Sequence, residues 1–348
     1  MIKAATTGSE QALKRMFITG VSPITLDDVT SGFNIGSNFS TDPQFNGIVG
    51  FSETELRTML TYYKEEGTLK TEVEDLITMM KPWYDNYCFA EETLSESMFN
   101  SDMVLYCMKS LILHGVKPKE IVDPNIRTDF NKLAYLVRLD HGLGENFSVI
   151  KEIAEQGEIV TEIVTHFSAL EMTDVSNFKS LLFYFGLLSI KGVDMMGRPI
   201  LHIPNLVVRE QLFNFLIQGY ARHDIFKLDV NRLLTLFENM SFKGEWEPLF
   251  EFVAEAIREQ SRIREYIEGE AHIKGFLLAY LSMFRYYQLY PEYEMNKGFA
   301  DFFFKPSPAA PVSPPYTYLL EVKYAKAGAS EKELSLIHIS EPTRLDVI

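Results

Sequence analysis

The stretch from Tyr293 to Lys326, YEMNKGFADFFFKPSPAAPVSPPYTYLLEVKYAK, decides how the chain is read. Two strand-like runs flank a spacer rich in proline and alanine. Asn296-Lys297-Gly298 makes a turn, so 292–304 reads as a β-hairpin. The insert KPSPAAPVSPP (305–315) is a loop, and TYLLEVKY (317–324) is the next strand. Side chains at i and i+2 of a strand share a face. Glu321 and Lys323 therefore stand together, while Leu320, Val322 and Tyr324 turn toward the core. An Asp on one strand with Glu-x-Lys on the next, here Asp301, Glu321 and Lys323, can hold a divalent metal and set an ammonium beside it. That is the chemistry of metal-assisted phosphodiester hydrolysis. The competing reading is an exposed Glu321–Lys323 ion pair on an edge strand, with Asp301 a polar strand end.

The 348 residues suffice for two or three domains and a sizeable core. Hydrophobic residues make up 46% and charged residues 23%, the balance of a soluble globular protein. The two cysteines, Cys88 and Cys107, have no metal-ligand spacing and predict no disulfide, which points to a reducing compartment and a cytoplasmic protein. The apolar run from Leu181 to Ile190 is far shorter than the roughly 18 residues of a membrane span. A net charge of -15 counts against a broad nucleic-acid-binding surface. It leaves room for a small metal site, where carboxylates are required and the cation offsets them.

Upstream, Met16-Phe17-Ile18 reads as a short buried strand ended by Thr19-Gly20. Ser52-Glu53-Thr54-Glu55 fits a capping box, predicting a helix over 53–66 that stops at Gly67. A second helix, Thr71–Met80, is expected to stop before Pro82, followed by the aromatic segment KPWYDNYCF (81–89). That segment reads as a ligand or partner surface, or as aromatic packing between helices. The middle, 96–262, reads as helical, with Asn100 or Ser101 capping a helix that ends at Gly115. Amphipathic segments follow near 129–139, 147–156, 176–190, 206–220, 228–240 and 246–265. REYIEGEAHIKGFLLAYLSMF, from Arg264, is a last amphipathic helix before the hairpin.

The run MFITGVSPITLDDVTSGFNIGSNFSTDPQFNGIVGFSETEL together with KPWYDNYCF resembles the later part of the bacterial AAA-ATPase-like family, whose members usually carry a C-terminal nuclease-like domain of the PD-(D/E)XK superfamily. DPNIRTDF (123–130) and IPNLVVRE (203–210) are similar to that family's linking region. The resemblance implies a sensor-like position at Thr19, ATP binding in the full-length family protein, and a Mg2+ site in the nuclease part. There, Glu270 on the helix and the strand acids Asp301 and Glu321 would bind the metal, and Lys323 would orient the attacking water. Glu268 is the alternative helix ligand, and Lys274 stands where the family often has a histidine. Nucleic acid is the implied partner.

The chain departs from the family in having no G-x-x-x-x-G-K-[ST] and no apolar strand ending in Asp-Glu, so no ATPase activity is expected from it. The expected fold class is α/β plus α, in four parts. Residues 1–95 are the C-terminal portion of an AAA-type module, 96–262 a helical linking region, 263–334 an incomplete restriction-endonuclease-like domain, and 335–348 a non-native tail. Truncation at both ends is expected, because SLIHISEPTRLDVI (335–348) reads as translated adapter sequence; a genuine variable tail is the alternative. Two functions remain open: metal-dependent nuclease, or non-catalytic ATP-linked interaction module.

Overall fold

The computed structural model describes residues 17, 19–20, 38–118, 121–123, 145–165, 167, 171–222, 228–259, 270–284, 286–295, 298–307, 310 and 312–322. Helices α1 (Glu53–Glu65), α2 (Val73–Tyr84) and α3 (Ser101–His114) enclose one apolar cluster. Helix α1 begins as its sequence predicts. The Ser52 hydroxyl accepts from the Glu55 amide, and the Glu55 carboxylate accepts from the Ser52 amide at 2.9 Å. Leu56 and Leu60, four residues apart, share the inward face and are fully buried. Truncating either to Ala would cost about 2–5 kcal/mol. Asn100 caps α3 by accepting from the Met103 amide, and Gly115 closes it at φ 70°. Helix α2 does not stop before Pro82 but runs two residues beyond it. A proline so close to a helix end forfeits little of the ladder, and burial of Trp83 and Tyr84 favours the extra turn.

The second cluster is larger and gathers residues from Tyr87 to Leu320. Its helices are α4 (Glu145–Gln156), α5 (Val175–Tyr184), α6 (Leu206–Arg222), α7 (Val230–Lys243), α8 (Glu247–Glu259) and α9 (Glu270–Leu281). Asn205 caps α6 by accepting from the Val208 amide. The segment 129–139 lies outside the described residues.

The middle is not all helical. Strands β1 (Glu158–Val160), β2 (Ser189–Val193) and β3 (Pro199–His202) form an antiparallel sheet with β3 central. The helix expected over 176–190 ends at Tyr184, because Gly186 adopts φ 70° and its amide turns back to the Phe183 carbonyl. Asp194 then shapes a turn, accepting from the Met196 and Arg198 amides and pairing with the Arg198 guanidinium. Ile159, Leu201 and Ile190 stand in register on the buried face. Of the strand expected at residues 16–18, Met16 and Ile18 lie outside the described residues, and Phe17 is 69% exposed and assigned to no strand. Among the described residues no strand lies beside it to bury that side chain.

Strands β4 (Tyr287–Met295), β5 (Gly298–Pro306) and β6 (Tyr318–Leu320) form a second antiparallel sheet in that order. The hairpin is longer than the sequence suggests, since its first strand begins at Tyr287 rather than at 292. Pro291 is accommodated because β4 is an edge strand. Tyr287, Leu289, Phe302, Phe304, Tyr318 and Leu320 join the same apolar cluster as α4–α9. Side-chain packing therefore crosses both expected boundaries: α3 packs with α1 and α2 across 95/96, and the sheet packs with the preceding helices across 262/263.

Candidate metal-binding site

Strand β5 is the middle strand of its sheet, and alternation decides what each residue meets. Ala300, Phe302 and Phe304 face the apolar cluster, and Phe302 and Phe304 are 1% and 0% exposed. Asp301 points to the other face, yet it too is buried. Pairing of β5 with β6 runs Phe304–Tyr318, Phe303–Leu319 and Phe302–Leu320. One step further sets Asp301 opposite Glu321, and directly opposed residues share a face with their Cβ atoms about 5 Å apart. Glu321 is half-buried. The backbone ladder stops at Leu320, and the Asp301 side chain takes its place: Oδ2 accepts from the Val322 amide at 2.5 Å.

The other oxygen of Asp301 meets a cation. Lys274 Nζ, from α9, lies 2.5 Å from Oδ1, with the lysine side chain 20% and the aspartate side chain 10% exposed. The lysine sits near the start of a helix whose later residues, Phe276 to Leu281, are all buried in the large cluster. Close packing fixes that position. At Gly275 the end of the Glu155 side chain and the Lys151 stem, both on α4, lie against α9. Burial pushes the Glu155 carboxyl up to about 6, with Lys151 partly opposing.

Of the residues singled out in the sequence, Asp301 lies on β5 and Glu321 just past the end of β6, one step beyond the last ladder pair Phe302–Leu320. Glu270 opens α9 one turn before Lys274, which puts the two positions on one helix face; its side chain, together with Glu268 and Lys323, lies outside the described residues. Thr19 is exposed, in no helix or strand, and contributes nothing to this geometry. Among the described residues no three His, Cys, Asp or Glu side chains converge as a metal cluster. The carboxylate pair suits Mg2+ in its chemistry, because that ion is held by one or two carboxylates with waters completing its shell. A cation at Asp301 Oδ1 would have to displace the Lys274 ammonium. That ion pair was not anticipated from sequence. The one signal for it was that Lys274 occupies the position one turn after Glu270, where the family often has histidine.

An aromatic layer lies along the same hairpin. The Phe303 ring is 4.6 Å from Tyr293 and 6.2 Å from Tyr290, centroid to centroid, two residues from Asp301. Both cysteines are buried and unpaired. No described helix is long and apolar enough to cross a membrane.

Residues 268–343 match a family model described as the PD-(D/E)XK nuclease superfamily, so the chain carries a domain of that superfamily there. The match spans Glu268, Glu270, Lys274, Asp301, Glu321 and Lys323. It also runs past residue 334 into the stretch expected to be foreign. No family match supports an AAA-type portion in residues 1–95. No curated protein and no solved structure matches the chain.

Proposed function

We propose that the C-terminal domain hydrolyses phosphodiester bonds of nucleic acid with Mg2+, using Asp301, Glu321 and Glu270 as ligands and Lys323 to orient the attacking water. The observation that supports this is the pairing of β5 with β6, whose last pair Phe302–Leu320 ends one step short of Asp301 and Glu321, inside the segment that matches a nuclease superfamily. The bound ion would supply Lewis-acid stabilisation of the charge that develops on the phosphate. The protein's own part is positional. Strand β5 holds one carboxylate and the chain after β6 carries the second, while Lys323, two residues further on, would supply the ammonium. The Phe303, Tyr290 and Tyr293 rings offer a stacking surface for bases next to the site.

The test is cleavage of single- and double-stranded DNA and RNA by the purified chain, with Mg2+ and with EDTA. Activity is expected only with Mg2+, and Lys323→Ala should lose at least a hundredfold. Equal cleavage by wild type and Lys323→Ala would overturn the assignment.

A second reading has an observation of its own. Both oxygens of Asp301 are satisfied without a metal, by Lys274 and by the Val322 amide, which suits a nuclease fold used as a binding platform. Nucleic-acid binding with no Mg2+-dependent cleavage would favour it. The relation of residues 1–95 to an AAA-type module is part of this proposal and rests on the residues of 16–56 and 81–89; 96–262 as linking region, 263–334 as the nuclease unit and 335–348 as a tail outside it belong to the proposal too. Cytoplasmic residence, supported by the unpaired cysteines, belongs to the proposal as well.

A further inference from the structure

The aromatic segment 81–89 takes no part in the carboxylate site. Asn86, at φ 73°, is the only non-glycine residue with positive φ among the described residues. Such a backbone costs about 1–3 kcal/mol and persists where surrounding structure holds it. Here it swings the chain from the end of α2 onto the edge of β2, where the Ser189 hydroxyl accepts from the Cys88 amide at 2.7 Å. The backbone of Cys88 thus pairs with β2, and the flanking Tyr87 and Phe89 rings lie 19° from parallel. They wall a cleft of about 340 Å³ between the two apolar clusters. Trp83, Tyr184, Asn205 and Gln211 complete the lining that matters here.

Two polar groups in this cleft lack a hydrogen-bond partner among the described residues: Gln211 Nε2 and the Tyr184 hydroxyl. Gln211 is 8% exposed, so its amide is shielded from bulk water. A buried donor left unpaired costs about 1–3 kcal/mol, a penalty that a ligand would remove. Burial pushes the Tyr184 phenol up to about 12, so it keeps its proton and can donate. Asn205 is already engaged: its amide donates to the Asp85 carbonyl, and its oxygen accepts from the Val208 amide. No Lys or Arg lines the cleft among the described residues, and Asp102 does. A phosphate or other anion would meet repulsion without compensation.

We infer that this cleft binds the base of a free nucleoside: a flat, uncharged heterocycle stacked on the aromatic walls and accepting hydrogen bonds from Gln211 and Tyr184. The volume lies at the small end of the range for ligand sites, as a molecule of that size requires. Aromatic rings hold bases by their faces, and the two donors select an acceptor-bearing edge.

The chain has two tryptophans, Trp83 and Trp246, so Trp246→Phe leaves Trp83 in the cleft as the reporter. Its fluorescence is titrated with adenosine, guanosine, cytidine and uridine, with the 5′-monophosphate of any nucleoside that binds, and with a short oligonucleotide of that base. Saturable quenching by at least one nucleoside is expected. Binding should weaken about tenfold in Gln211→Leu and in Tyr184→Phe, and the monophosphate and the oligonucleotide should bind no tighter than the nucleoside. Gln211→Leu removes an amide whose nitrogen has no partner among the described residues, and Tyr184→Phe provides a second variant that keeps the ring. The inference is overturned by the absence of a saturable change with all four nucleosides, by unchanged affinity in both folded variants, or by tighter binding of the phosphorylated forms. Cleavage at the carboxylate site is measured separately, so failure of one leaves the other standing.

Discussion

Replacing Lys274 by Met keeps much of the aliphatic stem and removes the only charge within hydrogen-bonding distance of Asp301 Oδ1 among the described contacts. Two opposite charges about 4 Å apart near a protein surface attract by about 4 kcal/mol, before the cost of desolvating them. Removing one partner of a fully buried pair costs about 3–5 kcal/mol, and an exposed pair contributes about 0–1 kcal/mol. With side chains 20% and 10% exposed, this pair belongs nearer the buried limit. The Val322 amide still satisfies the second oxygen, which softens the loss. The expected destabilisation is about 2–3 kcal/mol. It would be read as a lower urea midpoint at unchanged slope, in EDTA, followed by circular dichroism. Lys274→Met also removes the ammonium that a cation at Asp301 Oδ1 would have to displace. Mg2+ should then stabilise the variant more than the wild type, by linkage to the native state. Asp301→Asn combined with Lys274→Met should cost less than the sum of the two alone. A loss below about 0.5 kcal/mol for Lys274→Met would refute the reasoning, because the ion pair would then contribute no more than a surface contact.

Two further outcomes follow from other parts of the fold. Ser52→Ala removes the capping hydroxyl of α1 and should lower stability by about 1 kcal/mol, measured by urea unfolding, whereas Ser52→Thr should retain most of it. His202 is held down to about 4 by burial first and by the Lys191 charge second, with Glu158 opposing. Its unfolded value is near 6.5, so the unfolded chain takes up a proton that the folded chain refuses, and stability is lost as pH falls from about 6.5 to 4. Glu155, raised to about 6, acts in the opposite sense and gains stability as pH falls from about 6 to 4.5. Replacing His202 by Gln should therefore shift stability in the variant's favour by on the order of 1 kcal/mol between pH 7 and pH 5. Parallel pH profiles for the two proteins would contradict this.

Local chemistry made much of the fold legible in the sequence. The Ser52/Glu55 box, the Asn100 cap and Gly115 each act within a few residues, so α1 and α3 could be placed from sequence. The sheet β1–β3–β2 could not. Its strands are three to five residues long, and the continuous apolar run Leu181–Ile190 reads equally as buried helix or buried strand. What separates them is Gly186, together with pairing partners distant in the chain. That Asp301 lies on the strand paired with the one leading into Glu321 followed from the hairpin pattern, a short-range rule, whereas the expected strand 317–324 ends at Leu320 among the described residues. The Lys274–Asp301 contact joins a helix to a strand across 27 positions, and no spacing rule predicts it. The cleft beside residues 83–89 was only half visible: the aromatic density showed in the sequence, but its unpaired amide comes from Gln211, more than 120 residues away.

The large apolar cluster has a consequence for how the protein comes off the ribosome. Its helical residues, from Phe147 onward, are synthesised well before Phe302, Phe304 and Tyr318, against which the cluster closes. Until those strands emerge, the helices carry an uncovered oily face, a species prone to self-association and a natural client for chaperones. The same dependence runs backward. Residues 263–334 expressed alone would turn Tyr287, Leu289, Phe302 and Phe304 to water, so the nuclease-like sheet is poorly suited to being cut out as a separate reagent. Any engineering that moves this domain must bring α7 with it, whose Phe237 packs on Tyr287 and whose Met240 carbonyl accepts from the Tyr318 hydroxyl, or rebuild the surface it covers.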